Sequence, residues 1–259
     1  MSSPRWDQHF LIDRRAIERI VSLVDVRDRR VLEIGPGRGA LTEALLDAGA
    51  CVVAIELDPM LCEEISARFG SEIREGRLRL INGDATTCDL PDFEFAMANL
   101  PYSVSSRITF RLLGMDFREA ILMYQKEFAM RMCAHPGTPE VGRLSIMAQT
   151  YADIQPCFEL SPNAFSPKPQ VRSVVLRITP HAPRFLINDR RWYGEVVKAL
   201  FSHRRKTVRN GLKSLSGIIG RERLQEGLLA IPEDILSSRP EELQLQDFAE
   251  IANAIPANP

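Results

Sequence analysis

The stretch NLPY, at residues 99–102, places hydrogen-bond acceptors and an aromatic ring directly after the apolar run FEFAMA. The Asn99 side-chain oxygen and the Leu100 carbonyl both accept hydrogen bonds. Pro101 stiffens the backbone that carries them, and Tyr102 supplies a flat face on which a planar ring can stack. We therefore expect this stretch to hold a planar ring that carries an amine. The alternative is a rigid turn followed by a core tyrosine.

The stretch EIGPGRG is a candidate binding loop because its glycines follow an apolar run and precede a helical pattern. Gly35, Gly37 and Gly39 would let the backbone turn sharply and approach a ligand with its N–H groups. Such a stretch can also be no more than a tight turn. Its spacing differs from the dinucleotide fingerprint, in which the third glycine comes one residue later.

Two carboxylates narrow the choice of ligand. Glu56 ends the second predicted strand, about 20 residues after the glycines, where it could accept hydrogen bonds from both ribose hydroxyls. Asp84 ends the third predicted strand, where it could accept from an adenine amino group. Either residue could instead cap a helix, but their matching positions favour a nucleoside that lies across the strand ends. The glycine spacing favours S-adenosylmethionine over NAD.

Together these features indicate methyl transfer to an adenine amine. Such an amine is a poor nucleophile because its lone pair is delocalised into the ring. Acceptors at Asn99 and Leu100 would hold its two protons, favour a pyramidal nitrogen and free the lone pair to attack a methyl sulfonium. The reaction requires no metal. The five cysteines are scattered and the four histidines are not clustered, which indicates neither a zinc site nor a disulfide framework.

The elements that must position these groups alternate along the first part of the chain. Between residues 30 and 125, apolar runs such as RVLEIG precede helical patterns such as ALTEALLDAG. This alternation is typical of βαβ units in a mostly parallel sheet. Two more strands, CFELS and VRSVVLRIT, follow a helix at RLSIMAQTYAD, and the tail is helical. We predict an α/β domain at residues 1–182 and a small helical domain at residues 183–259.

Composition and the lengths of the apolar runs indicate the class of protein and its compartment. The chain has 259 residues, of which 45% are hydrophobic and 26% charged, as in ordinary globular proteins. The start MSSPRWDQHF has no apolar signal region, and charges interrupt every apolar run before it reaches membrane-spanning length. We expect a cytoplasmic protein with no membrane segment.

Seven motifs, in order over essentially the whole chain, resemble the KsgA/Dim1 family of ribosomal RNA adenine N6-dimethyltransferases, which are relatives of the Erm resistance methyltransferases. The motifs are DQHFLID, LEIGPGRGALT, VVAIELDPML, INGDA, ANLPYSVSSRITF, FSPKPQVRSVV and FSHRRKTVRNGL. The stretch NLPYSVSS and the short tail are most similar to archaeal members. The resemblance implies a Rossmann-like methyltransferase fold with a mostly parallel seven-stranded sheet and a helical C-terminal domain.

The resemblance also implies roles for individual residues. In the catalytic site, Phe165 would be the second aromatic that sandwiches the target base opposite Tyr102, and Asn99 would contact both cofactor and target amine. The S-adenosylmethionine site would be formed by residues near the methionine part (His9, Leu11 and Gly35), the ribose (Glu56) and the adenine (Leu57, Asp84 and Ala85).

The family's substrate would be two adjacent adenosines in the hairpin loop near the 3′ end of small-subunit (16S) rRNA, which receive four methyl groups. The partner would be the immature 30S particle, and the protein would act in small-subunit biogenesis. We expect a monomer.

The basic stretch SHRRKTVRNGLK is a candidate RNA contact, since five of its twelve residues are Lys or Arg and none is acidic. As one helix it would present a basic face that neutralises phosphates. The alternative is a merely solvated face. The candidate RNA-binding residues are Arg204, Arg205, Lys206, Arg209 and Lys168, and Arg5, Arg14 and Arg15 would extend the charge around the mouth of the site.

Two other functions remain open. In one, the chain is a ribosome-assembly factor whose docking matters more than methylation. Intact Glu56, Asp84, Asn99 and Tyr102 favour the enzyme, because a pure binding factor would not need all four. In the other, it is an Erm-like enzyme of large-subunit rRNA. Leu100, where Erm enzymes usually have isoleucine, and the form of the tail argue mildly against that.

Overall fold

The computed structural model describes residues 9–101 and 103–255. Its strands are β1 (Phe10–Leu11), β2 (Arg30–Ile34), β3 (Cys51–Glu56), β4 (Leu78–Asn82), β5 (Phe95–Asn99), β6 (Glu119–Gln125), β7 (Ala152–Leu160), β8 (Phe165–Ser166) and β9 (Ser173–Pro180).

The helices are most closely spaced along the chain after β9. They are α1 (Arg14–Val21), α2 (Ala40–Asp47), α3 (Pro59–Arg68), α4 (Gly70–Arg74), α5 (Ser105–Leu112), α6 (Lys126–Met132), α7 (Arg143–Tyr151), α8 (Arg190–Ser202), α9 (Val208–Leu212), α10 (Ser216–Ile219), α11 (Arg221–Leu229), α12 (Glu233–Ser237) and α13 (Leu245–Ala254).

Seven strands form one sheet in the order β4-β3-β2-β5-β6-β9-β7. The pairs from β4 through to β6 are parallel, and β9 runs antiparallel to β6. This confirms the predicted mostly parallel, seven-stranded Rossmann-like sheet. All residues of β5 except Asn99 are buried, as expected for a parallel strand covered on both faces.

The strand order reverses beside β2, whose neighbours are β3 on one side and β5 on the other. In open α/β sheets, ligands bind outside the carboxyl ends of the strands at such a switch point. Glu56 and Asn99 are the last residues of β3 and β5. Asp84 comes two residues after the end of β4, in a turn. The carboxyl edge of the sheet therefore brings together Glu56, Asp84 and Asn99, the three polar residues that the sequence singles out.

Strand β1 pairs with β8 in a separate two-stranded antiparallel ribbon, in which Leu11 lies opposite Phe165. Next to the ribbon, the Nδ1 atom of His9 donates a hydrogen bond of 2.8 Å to the carbonyl of Pro167. Segments that are more than 150 residues apart in sequence thus meet beside the sheet.

The chain divides into two compact units. The first comprises the described residues within Met1–Ala129 together with Asp153–Pro180, and the second comprises Met130–Ala152 with the described residues within His181–Pro259. The sequence predicts a single boundary near residue 182, with residues 130–152 in the first domain. The structure instead groups these residues with the second unit. The reason is packing, since Val141 and Ile146 are buried in the same apolar cluster as Val196 and Leu200.

The basic stretch SHRRKTVRNGLK is not one helix, which corrects the sequence expectation. Helix α8 ends at Ser202, residues 203–206 form a turn, and α9 begins only at Val208. The break lets α9 fold back onto α8: a Cβ added at Gly211 would lie 3.2 Å from the Leu200 side chain. Burial of Val208 and Leu212 in that contact outweighs the helical propensity of the intervening residues.

Among the described residues, no helix is both long and apolar enough to cross a membrane. The same part of the chain contains no group of three or more His, Cys, Asp or Glu side chains placed to hold a metal ion.

Candidate active site

A cavity of about 1480 Å³ opens at the carboxyl ends of the strands in the first unit. Its lining includes nine of the residues that the sequence assigns to the site or its loops, namely His9, Leu11, Gly35, Gly37, Glu56, Leu57, Asp84, Asn99 and Leu100. The fold thus brings together residues from five separate segments of the chain.

The glycine loop contains two different kinds of glycine. Gly35 has a φ of +69° and open space where a Cβ would stand, so its backbone faces the cavity without obstruction. Gly37 has a φ of +58°, and a Cβ there would lie 2.7 Å from the Phe10 ring. Gly39 packs against Phe69 and is the N-cap of α2. Gly35 is therefore the glycine best placed to face a ligand, while the others permit close packing.

Glu56 is 5% exposed, and its carboxylate ties two loops together. Its Oε2 atom accepts from the N–H of Gly37 at 3.1 Å, and its Oε1 atom accepts from the N–H of Asp58 at 3.0 Å. Burial raises the pKa of the Glu56 carboxyl, and the backbone N–H groups oppose that effect. A carboxylate has about four lone-pair sites, so acceptor capacity remains for ribose hydroxyls.

The alternative role for Glu56, as the N-cap of a helix, is wrong. The residue that caps α3 is Asp58, whose Oδ1 atom accepts from the N–H of Met60 at 2.9 Å. Next to Glu56, the side chain of Leu57 lines the cavity and is 44% exposed. It presents an apolar surface on which a flat ring could pack.

Asp84 lies in a turn and precedes no helix, so it is not a helix cap either. Its Oδ1 atom accepts from the N–H of Thr86 at 2.7 Å. That hydrogen bond is the largest of the effects that hold the pKa of the Asp84 carboxyl below its usual value. Asp84 is therefore an ionised acceptor at neutral pH. Ala85, which follows it, is buried and does not line the cavity.

The Asn99 amide has a fixed orientation. Its Nδ2 atom donates to the carbonyl of His9 at 2.7 Å. Because the nitrogen is used in this way, the Oδ1 atom is the acceptor that the side chain can offer to a ligand. Asn99 itself lines the cavity.

Buried hydroxyl groups anchor the loop that follows Asn99. The hydroxyl of Ser105 donates to the carbonyl of Pro101 at 3.0 Å, and the hydroxyl of Thr109 donates to the carbonyl of Ser105 at 2.7 Å. The Tyr124 hydroxyl lies 2.7 Å from that of Thr109 and is fully buried. Leu100 is also buried. These contacts hold the Pro101 carbonyl against the start of α5.

Of the two aromatic residues assigned to the target base, the structure describes Phe165. Tyr102 lies outside the described residues. Phe165 is 1% exposed and belongs to the hydrophobic core of the first unit. Its ring offers no open face in this arrangement, although its neighbours Ser166 and Pro167 line the cavity.

Sequence reasoning missed Glu33, a buried carboxyl that also lines the cavity. Its Oε2 atom accepts from the hydroxyl of Thr42 at 2.7 Å. Burial, with a smaller contribution from the charge of Glu56, raises the pKa of Glu33 from 4.5 to about 8. The signal in the sequence was a single carboxylate within the otherwise apolar run VLEI.

The second unit shows that the predicted RNA-binding residues are not equivalent. Arg204 forms an ion pair with Glu241 at 2.9 Å, and Arg209 forms one with Glu233. Arg205 and Lys206 are exposed and form no ion pair within the described part of the chain. In the first unit, Lys168 is exposed as well.

The chain matches the model of the family described as ribosomal RNA adenine dimethylase over residues 2–247. It is 57% identical, over 249 residues, to an archaeal protein of Methanospirillum hungatei named "Probable ribosomal RNA small subunit methyltransferase A". That alignment covers 96% of this chain and 97% of the relative.

Two solved structures resemble the whole chain. A dimethyladenosine transferase from Plasmodium falciparum superposes with a TM-score of 0.82 at 26% identity, covering 94% of this chain and 96% of that one. The 23S rRNA methyltransferase ErmE superposes with a TM-score of 0.68 at 23% identity, covering 95% and 99% of the two chains. The second likeness shows only a shared fold.

Proposed function

Because the chain belongs to the ribosomal RNA adenine dimethylase family, we propose that it dimethylates N6 of two adjacent adenosines in the 3′-terminal hairpin loop of small-subunit rRNA. It acts on the immature 30S particle, as a cytoplasmic monomer, during small-subunit biogenesis. Membership of the family makes the chain an S-adenosylmethionine-dependent rRNA adenine dimethyltransferase with a Rossmann-like fold.

The observation that carries this proposal is the juxtaposition of Glu56, Asp84 and Asn99 around one cavity. The residues fit the cofactor: a buried carboxylate remains able to accept from ribose hydroxyls, an ionised carboxylate is available for an adenine amine, and the backbone at Gly35 is open to the cavity. When bound, S-adenosylmethionine supplies a methyl group on a sulfonium, which needs no further activation.

The chain's own contribution at the target is to hold the amine. The Oδ1 atom of Asn99 and the carbonyl of Leu100 accept hydrogen bonds from its two N–H groups and favour a pyramidal nitrogen. His9 fixes the Asn99 amide, so its Oδ1 atom is in place before the base arrives, and Ser105 fixes the carbonyl of Pro101, the residue next to Leu100. Such preorganisation lowers the cost of reorganisation in the transition state.

Capture of the base is assigned to aromatic side chains. A target adenosine must leave its stack to reach the cavity, and stacking on a ring offsets part of that cost. Tyr102 supplies the first face. Phe165 supplies the second once its ring is uncovered, since the ring is buried in the structure.

RNA binding is assigned to phosphate contacts made by Arg204, Arg205, Lys206, Arg209 and Lys168. The support is the local excess of cations. Although Glu241 and Glu233 neutralise Arg204 and Arg209, the exposed Arg205 and Lys206 stay available to phosphates. Contacts of this kind position the protein without reading sequence.

The test is to incubate the protein with labelled S-adenosylmethionine and immature 30S particles and then to map the modified nucleotides. We expect label at two adjacent adenosines near the 3′ end of the small-subunit rRNA. Stable binding without any label would favour the assembly-factor alternative, and label only on large-subunit rRNA would favour an Erm-like activity. Particles that are already methylated serve as the matched control and should accept no label.

A further inference from the structure

Arg111, near the end of α5, is bound to the turn that carries Asp84. Its Nη1 atom donates to the carbonyl of Ala85 at 2.8 Å, and its Nη2 atom donates to the carbonyl of Cys88. The two carbonyls stand at the start and the end of the stretch of chain that follows Asp84. One guanidinium group therefore spans this stretch.

The turn is closed on its other side by its own backbone. The N–H groups of Thr87 and Cys88 both donate to the carbonyl of Asp84, and the N–H of Thr86 donates to the Asp84 carboxylate. These bonds set the internal shape of the turn, but they do not attach it to the rest of the fold. The Arg111 bonds connect it to a helix 23–26 residues further along the chain.

Helix α5 also holds the loop that follows Asn99. Ser105, its first residue, donates to the carbonyl of Pro101, while Arg111 holds the turn of Asp84 from the other end of α5. Helix α5 is thus bonded both to the turn that carries Asp84 and to the loop that follows Asn99.

We propose that Arg111 is a positioning residue that determines selectivity for the 6-amino group of the cofactor's adenine. By fixing the turn, it places the Asp84 carboxylate where that amino group can donate to it. The inference rests on the proposed assignment of Asp84 to the adenine. Arg111 itself is not one of the residues that line the cavity, so it acts through the turn.

The chemistry of the guanidinium supports this role. Its planar fork presents several N–H donors in a fixed geometry, so a single side chain can hold two carbonyls at once. A lysine ammonium is a flexible point donor and does not reproduce that geometry. Replacement by lysine therefore keeps the charge near Asp84 and loses the two-point attachment.

The experiment compares two ligands by titration calorimetry. One is S-adenosylhomocysteine, and the other is its 6-deamino analogue, in which hydrogen replaces the amino group. The ratio of their dissociation constants measures the contribution of the amino group alone. The variants are Arg111→Lys and Arg111→Gln, with Arg107→Gln as the matched control. Arg107 is an exposed residue of the same helix that contributes charge near Asp84 and makes no such bond to the turn within the described residues.

We expect the wild-type protein and Arg107→Gln to bind S-adenosylhomocysteine about tenfold more tightly than the analogue, as one hydrogen bond to a charged acceptor implies. In both Arg111 variants the ratio should fall towards one, chiefly because S-adenosylhomocysteine binds more weakly. A general loss of structure would weaken both ligands equally and leave the ratio unchanged.

An unchanged ratio in a folded Arg111 variant would overturn the proposal, and circular dichroism with thermal melting establishes the folded state. An equal fall in the ratio for Arg107→Gln would overturn it too, because charge rather than attachment would then be responsible. A wild-type protein that binds both ligands equally would instead refute the assignment of Asp84 to adenine, without bearing on rRNA methylation.

Discussion

The side-chain nitrogen of Asn99 donates a hydrogen bond of 2.7 Å to the backbone carbonyl of His9, a residue 90 positions away in sequence. This contact decides which end of the amide is available to a ligand. If the amide were reversed, two oxygens would face each other, and the acceptor needed by a target amine would be lost. The N-terminal segment at His9 is thus part of the site's geometry.

Asn99→Ala should leave the fold nearly intact and slow methyl transfer, because it removes an acceptor that is needed as the amine becomes pyramidal. Loss of one preorganised group of this kind costs about 2.7–4 kcal/mol, or roughly 10²–10³ in turnover. The measurement is single-turnover methylation of immature 30S particles, with cofactor affinity determined separately. Asn99→Asp is a matched control for size, and it should also be slow because it cannot donate to His9 when ionised. Methylation by Asn99→Ala at close to the wild-type rate would show that NLPY is only a rigid turn.

Glu56→Gln should weaken S-adenosylmethionine binding, because one carboxylate oxygen is replaced by a donor that faces the N–H of Gly37 or of Asp58. A hydrogen bond to a charged group is worth about 1.5–3 kcal/mol, which corresponds to at least tenfold in affinity. Calorimetric titration measures this directly. Glu63→Gln, at an exposed position on α3, removes the same charge and should bind normally. Equal affinity in Glu56→Gln and wild type would remove Glu56 from the cofactor site.

Glu33 should make the ligand-free protein less stable as the pH rises. Its pKa is 4.5 in an ordinary environment and about 8 in the fold, so the folded state holds a proton that the unfolded state has released between these values. The contribution to stability is full below about pH 4.5 and declines towards pH 8, by about 1.4 kcal/mol per pH unit.

Urea unfolding of wild type and Glu33→Gln at several pH values between 5 and 9 tests this. The glutamine can still accept from Thr42 but does not titrate. The difference in unfolding free energy between the two proteins should therefore move in favour of the variant as the pH rises. A difference that stays constant over this range would mean that Glu33 does not titrate as described.

Arg205→Gln combined with Lys206→Gln should flatten the salt dependence of binding to 30S particles. Each lost phosphate contact reduces the slope of log affinity against log salt by roughly 0.7–0.9. Arg204→Gln combined with Arg209→Gln removes the same charge from residues that are already paired with Glu241 and Glu233, so its effect should be smaller. Equal slopes for wild type and the Arg205–Lys206 variant would identify the stretch as a solvated face. Cofactor affinity should be unchanged in both.

Phe165→Ala should lower stability by about 3–5 kcal/mol, because it removes a fully buried ring. Its activity is therefore not informative by itself. Phe165→Leu keeps most of the buried volume and should fold, but it lacks a face for stacking, which is worth about 1–3 kcal/mol per base. We expect the leucine variant to bind the cofactor normally and to methylate poorly. Full methylation by Phe165→Leu would assign Phe165 to the core alone.

Sequence patterns were sufficient to predict the parallel sheet and the residues at its carboxyl edge. Strand and helix patterns alternate locally, and each of the three polar residues lies at or just after the end of a strand. Because parallel strands end at the same edge, positions in sequence were enough to predict that Glu56, Asp84 and Asn99 lie together.

Contacts that depend on packing between distant segments could be established only from the folded chain. Local patterns contain no information on which carbonyl Asn99 meets or whether the ring of Phe165 is covered. They also missed the break at residues 203–207, where burial of Val208 and Leu212 outweighs helical continuity, and the grouping of residues 130–152 with the helical unit. Each of these outcomes follows from the free energy of apolar burial and long-range hydrogen bonds, which depends on the whole fold rather than on neighbouring residues.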